Sequence, residues 1–393
     1  MNYVERFEKL GFGLFVHFGL YSIIGKGEWI NSMKSYPNDL YAKYADKFKV
    51  KKTWAKELVS TAKKTGCKYI TLTTRHHDGF SLYDTKGLSK FDTVNTACGR
   101  DLVREFVDEC NKQDIVPFFY HTLLDWKVPE YQENFPKYID YLVKSIEILC
   151  TNYGKIGGFW FDGMWNKPNE DWQEDRIYGT IRKYQPEAMI INNTGLNALG
   201  QVGHPEIDSV TFERGKPRFV DQSDKKRAGE MCQVLNDHWG YAKNDFNYKS
   251  FSEIIGDLID CRCYGCNFLL NVGPLGNGSI RTIDKGFLEI VGAWIKENKN
   301  FIYDAKPCDI KCENTKILYD GKYYYAVIKD VFMSADPNVA LGGALQNIKI
   351  YADVKDAIWL DNGKSVEIKD NEVIVKPFSY GNSLSTRILR FTI

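Results

Sequence analysis

Two hydrophobic periods alternate over the first 300 residues, and this alternation limits the fold more than any other feature of the chain. Short apolar or β-branched runs at 13–17, 68–73, 116–121, 158–162, 188–192, 209–213 and 267–272 read as strands buried on both faces. Between most of them lie stretches of helical period, at 54–65, 102–113, 138–153, 174–183, 251–261 and 284–296. Unbroken apolar strands separated by helices predict a parallel sheet covered on both sides. An eighth strand is expected at 231–237, MCQVLND. About eight such units fit a (β/α)8-like barrel. A doubly wound open sheet is the alternative. It calls for a glycine-rich phosphate loop after the first strand, and GLFVHFGLYS lacks the G-x-G-x-x-G spacing.

The pattern changes near residue 300. Residues 316–329 read as a hairpin around Asp320-Gly321, and 357–369 repeat this around Asp361-Asn362-Gly363. Further alternating strands are expected at 347–352, 372–376 and 386–392. The expected organisation is a catalytic barrel over 1–300 and a C-terminal antiparallel β-sandwich domain over 301–393. No low-complexity linker separates them, so close packing is expected. The apolar, glycine-rich segment 337–345 reads equally as an interface, a loop toward the barrel mouth or a bulged connection.

Composition narrows the function classes. Lys+Arg number 52 against Asp+Glu 51, a net charge of +1, which argues against a charge-driven nucleic-acid partner. No apolar run reaches membrane-spanning length. The N-terminus carries Glu5, Arg6, Glu8 and Lys9 where a signal peptide needs an apolar stretch, so a cytoplasmic location with ten reduced cysteines is expected. The run Cys261-x-Cys263-x-x-Cys266 has no fourth ligand at regular spacing and reads as small buried side chains. Aromatic content is 14%, which suits core filling and equally suits platforms for sugar faces.

In a parallel barrel the chemistry sits at the C-terminal ends of the strands. The first six expected strands end at or run into His17, Arg75-His76-His77-Asp78, Tyr120-His121, Asp162, Asn192-Asn193 and Glu213. This convergence points to an enzyme. A zinc site is not expected: His17-Phe18-Gly19 lacks the His-x-His opening, and His76 and His77, adjacent on an extended segment, should point opposite ways. No cofactor is called for. Two carboxylates among aromatics and neutral donors are the pattern of glycoside hydrolysis.

The segments FGLFVHFGLYS, YITLTTRHHDGFSLYDT, FFYHTLLDW, GGFWFDG and NFLLNVGPLGNGSI resemble the α-L-fucosidases of glycoside hydrolase family 29. The resemblance implies retaining hydrolysis of terminal α-L-fucose from fucosylated glycans or glycosides. It implies Asp162 as nucleophile, and Glu213 as acid/base, with Glu206 and Asp208 as rivals and Glu28 as a weaker one. It further implies sugar contacts from His17, Glu28, Trp29, His76, His77, Tyr120 and Trp160. The family's arginine after the fifth strand is replaced by Thr194, so Arg214 is expected to supply that contact. The carboxyl groups are expected to close to the retaining distance over substrate, with a longer distance before the loop after strand six closes. A fucose-binding protein without catalysis and a glycosidase for galactose-like sugars are the alternatives, and a homo-oligomer is left open.

Overall fold

The computed structural model describes residues 1–313, 315–331, 333, 346–384 and 386–393. Segment 337–345, like the rest of 334–345, lies outside the described residues.

Eight strands, β1 (Phe12–Val16), β2 (Tyr69–Arg75), β3 (Val116–Thr122), β4 (Gly158–Asp162), β5 (Met189–Asn192), β6 (Ser209–Thr211), β7 (Ala228–Val234) and β8 (Asn267–Val272), form a closed barrel. Every neighbouring pair is parallel, and β8 closes on β1 with Gly13 opposite Leu269. Closure excludes the open doubly wound sheet. Strand β7 begins three residues before the expected run, because Glu230 interrupts its apolar pattern. That carboxyl points into the barrel, where Tyr69 Oη donates to Oε2 at 2.5 Å and Trp160 Nε1 to Oε1 at 2.9 Å.

The helices are α1 (Tyr3–Leu10), α2 (Trp54–Thr65), α3 (Leu102–Lys112), α4 (Phe135–Asn152), α5 (Glu174–Tyr184), α6 (Phe251–Cys263) and α7 (Thr282–Glu297), apart from short turns. The helices after β1 to β4, β7 and β8 are those the periodicity predicts. No helix follows β5 or β6, so the eightfold repeat is incomplete and long loops lie on that side of the barrel mouth. No helix among the described residues is long and apolar enough to cross a membrane. All ten cysteines are free, and Cys261, Cys263 and Cys266 are buried.

Helix α1 closes the N-terminal end of the barrel. Asn2 and Glu5 form a capping box that starts it. Its inner face carries Val4 and Phe7 into a cluster with Tyr69, Phe118, Met189 and Ala228, residues at or near the starts of their strands. Phe7 meets Tyr69 edge-on at 5.6 Å and Phe118 at 5.5 Å.

Beyond the barrel, β9 (Lys306–Pro307), β10 (Ile317–Tyr319) and β11 (Tyr324–Lys329) precede β12 (Gln346–Lys349), β13 (Lys355–Trp359), β14 (Glu367–Lys369), β15 (Glu372–Val375) and β16 (Thr386–Thr392). They form two antiparallel sheets, ordered β13-β16-β11-β10-β9 and β12-β15-β14, which share one core including Ile328, Trp359, Val373 and Leu389. The hairpin at Asp320-Gly321 pairs β10 with β11 as expected. The turn at 361–363 departs from expectation: Val366 N donates to the Ala357 carbonyl at 2.9 Å, but β13 and β14 then part into different sheets. The opposite face of the larger sheet contributes Leu318, Tyr325, Val327 and Ile388 to the barrel's own core cluster.

Phe7→Ala removes a fully packed ring from the barrel floor. Denaturant unfolding should show a loss of about 3–5 kcal/mol.

Candidate active site

The C-terminal ends of the strands surround a cleft of about 590 Å³. The sequence-selected residues all line it. Asp162 and Glu213 face each other, with His17, His76, His77 and Tyr120 around them. Glu28, Trp29, Trp160 and Arg214 complete the set. The rivals lie elsewhere. Glu206 and Asp208 precede β6 and therefore sit at the opposite end of the barrel, where Arg182 pairs with them at 3.0 and 2.6 Å.

Asp162 ends β4 and receives four donors. Tyr120 Oη donates to Oδ2 at 3.0 Å, and Trp165 Nε1 and Asn193 Nδ2 donate to Oδ1 at 3.0 and 3.1 Å. His77 Nε2 faces Oδ2 at 3.4 Å. Burial alone would push this carboxyl up, but the bonds from His77, Trp165 and Tyr120 outweigh it and hold it below the usual carboxylate range. Glu213 has the opposite balance. Burial and the neighbouring Asp162 charge raise it to about 7, against the lowering bond from Asn193.

Asn193 joins the two carboxyls. Its Oδ1 accepts from Gly195 N at 3.3 Å and Thr211 Oγ1 at 3.2 Å, which turns Nδ2 toward the acids. That one nitrogen donates to Asp162 Oδ1 at 3.1 Å and to Glu213 Oε2 at 2.7 Å. These oxygens are therefore no further apart than the two bonds laid end to end, about 5.8 Å.

His17 follows β1. Asn271 Nδ2 donates to the Trp239 carbonyl at 2.7 Å, so its Oδ1 is the acceptor for His17 Nδ1–H, also at 2.7 Å. His17 Nε2 is thus an acceptor. Burial lowers this imidazole to about 3, so it is neutral at ordinary pH. His76 is lowered too, by burial and by the adjacent imidazoles. The expectation that His76 and His77 point apart is wrong. Strand β2 ends at Arg75, and a turn bonded from Gly79 N to the His76 carbonyl puts both rings on the cleft side, 4.3 Å apart. Among the described residues, no three His, Cys, Asp or Glu side chains gather in a metal-holding group.

Strand alternation explains which tips miss the cleft. Tyr120 points in, while His121 points out and bonds Ser145 Oγ at 2.6 Å. Asn193 points in, while Asn192 bonds Tyr178 Oη at 3.2 Å. Arg214 lies at the rim, donating to the Asp237 carbonyl at 2.7 Å with its guanidinium over the Trp239 ring. The sequence reading left Phe15, Trp165 and Trp239 out of the site and gave Asn193 only as a strand tip without a role, yet all four line it. Phe15 lies on the inward side of β1 two residues before His17, and the alternation rule would have found it. Trp165 and Trp239 come from loops whose course no local pattern reveals.

A closed parallel barrel with two carboxyls paired at its C-terminal face, one ionised and one able to hold a proton, defines a glycosidase of the barrel class. A family model described as Alpha-L-fucosidase matches residues 1–300. The tissue alpha-L-fucosidase of Homo sapiens is 27% identical over 346 residues, covering 80% of this chain and 73% of its own. The alpha-L-fucosidase of Dictyostelium discoideum is 25% identical over 403 residues, covering 92% and 84%. The solved structure of alpha-L-fucosidase isoenzyme 1 from Paenibacillus thiaminolyticus matches with a TM-score of 0.87 at 30% identity, covering 99% of this chain and 98% of that one. The chain belongs to the α-L-fucosidase family.

Because the Asn193 bond lowers Glu213, Asn193→Ala should move its titration upward from about 7. Carboxyl carbon NMR of Glu-labelled protein measures this. A downward shift would contradict the bridging role.

Proposed function

We propose that this chain hydrolyses terminal α-L-fucosides with retention, using Asp162 as nucleophile and Glu213 as acid/base. The observation that carries the reading is the carboxyl pair: oxygens within about 5.8 Å, bridged by one amide nitrogen and split in proton affinity. Retaining glycosidases hold their carboxyls roughly 5–5.5 Å apart, whereas inverting ones leave about 6.5–9.5 Å for a water.

Ionised Asp162 attacks the anomeric carbon as Glu213 gives its proton to the departing oxygen. The bond to the leaving group breaks and an ester to Asp162 forms. Glu213, now a carboxylate, takes a proton from water as the water oxygen attacks the same carbon, and the ester electrons return to Asp162. Neutral His17 offers Nε2 to a sugar hydroxyl, and Glu28, His76 and Tyr120 surround the remaining hydroxyls. Trp29 and Arg214 border the opening.

The cleft floor favours fucose over galactose. Phe15 and Trp160 meet edge-on at 5.0 Å there, and the Trp160 N–H is already committed to Glu230. That apolar surface suits a 6-methyl group and leaves a 6-hydroxyl unpaired. A binding protein without catalysis has no use for a proton-holding Glu213 beside an ionised Asp162. The free cysteines support a reducing, cytoplasmic setting, and the near-zero net charge argues against nucleic acid as a partner.

With 4-nitrophenyl α-L-fucoside, Asp162→Asn should abolish nearly all turnover. Glu213→Ala should slow poor leaving groups by roughly 10²–10⁴-fold. Azide should restore its rate on the aryl fucoside and yield α-fucosyl azide. A first-formed β-fucose from the wild type, read by proton NMR, would rule out retention. A separate measurement is the pH profile of kcat/KM. The acid must be protonated, so rate should fall as pH rises through about 7, while the acidic limb should lie below the usual carboxylate range because Asp162 is held there.

A further inference from the structure

The loop between β7 and α6, residues 235–250, runs past the cleft and holds three of its side chains through backbone groups. The Asp237 carbonyl accepts from Arg214 Nη2 at 2.7 Å. The Trp239 carbonyl accepts from Asn271 Nδ2 at 2.7 Å, which leaves Asn271 Oδ1 to accept the His17 Nδ1 proton. Gly240 N donates to Glu28 Oε2 at 2.8 Å. The Trp239 carbonyl and the Gly240 N–H belong to one peptide unit, and a planar trans unit points them opposite ways. A single peptide plane therefore keeps both His17 and Glu28. The loop lies hard against the barrel: a Cβ on Gly273, just after β8, would come within 2.6 Å of Tyr241 N.

Asp245 shapes the start of this segment. Its Oδ2 accepts from Asp237 N at 3.0 Å, from His238 N at 3.1 Å and from His238 Nδ1 at 2.7 Å, while Oδ1 accepts from Asn247 N at 3.2 Å. Burial raises this carboxyl, but the bonds from His238, Asp237 and Asn247 outweigh it and hold it below the usual carboxylate range. It is therefore ionised and acts only as an acceptor. With the His238 N–H turned to Asp245, the Asp237 carbonyl on the same peptide faces the other way, toward Arg214. Asp245 itself does not line the cleft.

We propose that Asp245 is a positioning residue for the sugar-binding side of the site. It fixes the course of residues 237–240, so that the Trp239–Gly240 peptide keeps His17 with a bare Nε2 and keeps Glu28 in the cleft. This rests on the reading of the cleft as a fucosidase site. Asp162 and Glu213 are held separately, through Asn193. Loss of Asp245 therefore weakens the grip on the sugar and spares the acids that do the chemistry.

Asp245→Ala tests this, and Asp245→Asn, which keeps one acceptor oxygen, should lie between it and the wild type. Nitrogen NMR of histidine-labelled protein reads the His17 tautomer without substrate, with His17→Gln to assign the signal. In the wild type Nδ1 carries the proton and Nε2 is bare. In Asp245→Ala the Nε2 signal should move toward that of a protonated nitrogen, as the freed Asn271 amide turns over and the two tautomers mix. KM for 4-nitrophenyl α-L-fucoside should rise about tenfold, with kcat changed less than about threefold, as expected for roughly one hydrogen bond lost from ground and transition states alike. A residue that serves stability alone would lower the melting temperature and leave both readouts unmoved. An unmoved His17 signal in folded Asp245→Ala, or in Asp245→Asn where alanine does not fold, overturns the positioning role. A kcat that falls while KM stays constant overturns the separation of sugar grip from chemistry. A wild type inert toward the fucoside overturns the fucosidase reading, and the His17 signal then still decides whether Asp245 sets that imidazole.

Discussion

Two carboxyl groups within about 6 Å in a buried cleft cannot both carry charge cheaply. At an effective dielectric of about 20, their repulsion is about 3 kcal/mol. The protein turns this cost into a division of labour. Asp162 receives Tyr120, Trp165, Asn193 and His77, while Glu213 receives Asn193 among its neighbours' side chains. The richer set of donors decides which acid keeps the negative charge, and the charge so fixed helps hold the proton on the other. Asn193 sets the spacing, and Gly195 N and Thr211 set the orientation of Asn193.

The barrel makes that arrangement rigid. Closure places β4, β5 and β6 side by side, so Asp162, Asn193 and Glu213 stand on neighbouring tips. The interior beneath them is packed, with Glu230 buried between Tyr69 and Trp160 and helix α1 sealing the far end. A dry floor keeps the acids out of water, and this is what raises Glu213. The absence of helices after β5 and β6 leaves long loops at the mouth on that side of the barrel. Loop variation on a fixed barrel is how this architecture changes substrates without changing chemistry.

Much of this was legible in the sequence. Seven strands of the barrel, and all six helices expected around it, lie within a few residues of their expected positions, because a strand buried on both faces and a helix buried on one leave unmistakable periods. The candidate nucleophile, acid/base and sugar contacts were legible from strand tips and a family resemblance, and all line one cleft. Helix α1 escaped because eight residues of mixed charge look like a solvated terminus until a barrel floor covers their apolar face. Strand β7 was displaced because a buried glutamate contradicts the pattern of a buried strand.

The sequence by itself determined the barrel, the following antiparallel sheets and the residues from which a site could be chosen, since these depend on local period and on residue type. It did not determine which of two adjacent tip residues faces inward: Tyr120 or His121, Asn192 or Asn193. Nor did it determine that a turn brings His76 and His77 to one side, or that Trp165 and Trp239 reach the site from loops. Those outcomes follow from strand register and loop course, which are settled only when the barrel closes. The proton affinities of Asp162 and Glu213 belong to the tertiary structure altogether, because burial, distance and donor count exist only between residues that folding brings together.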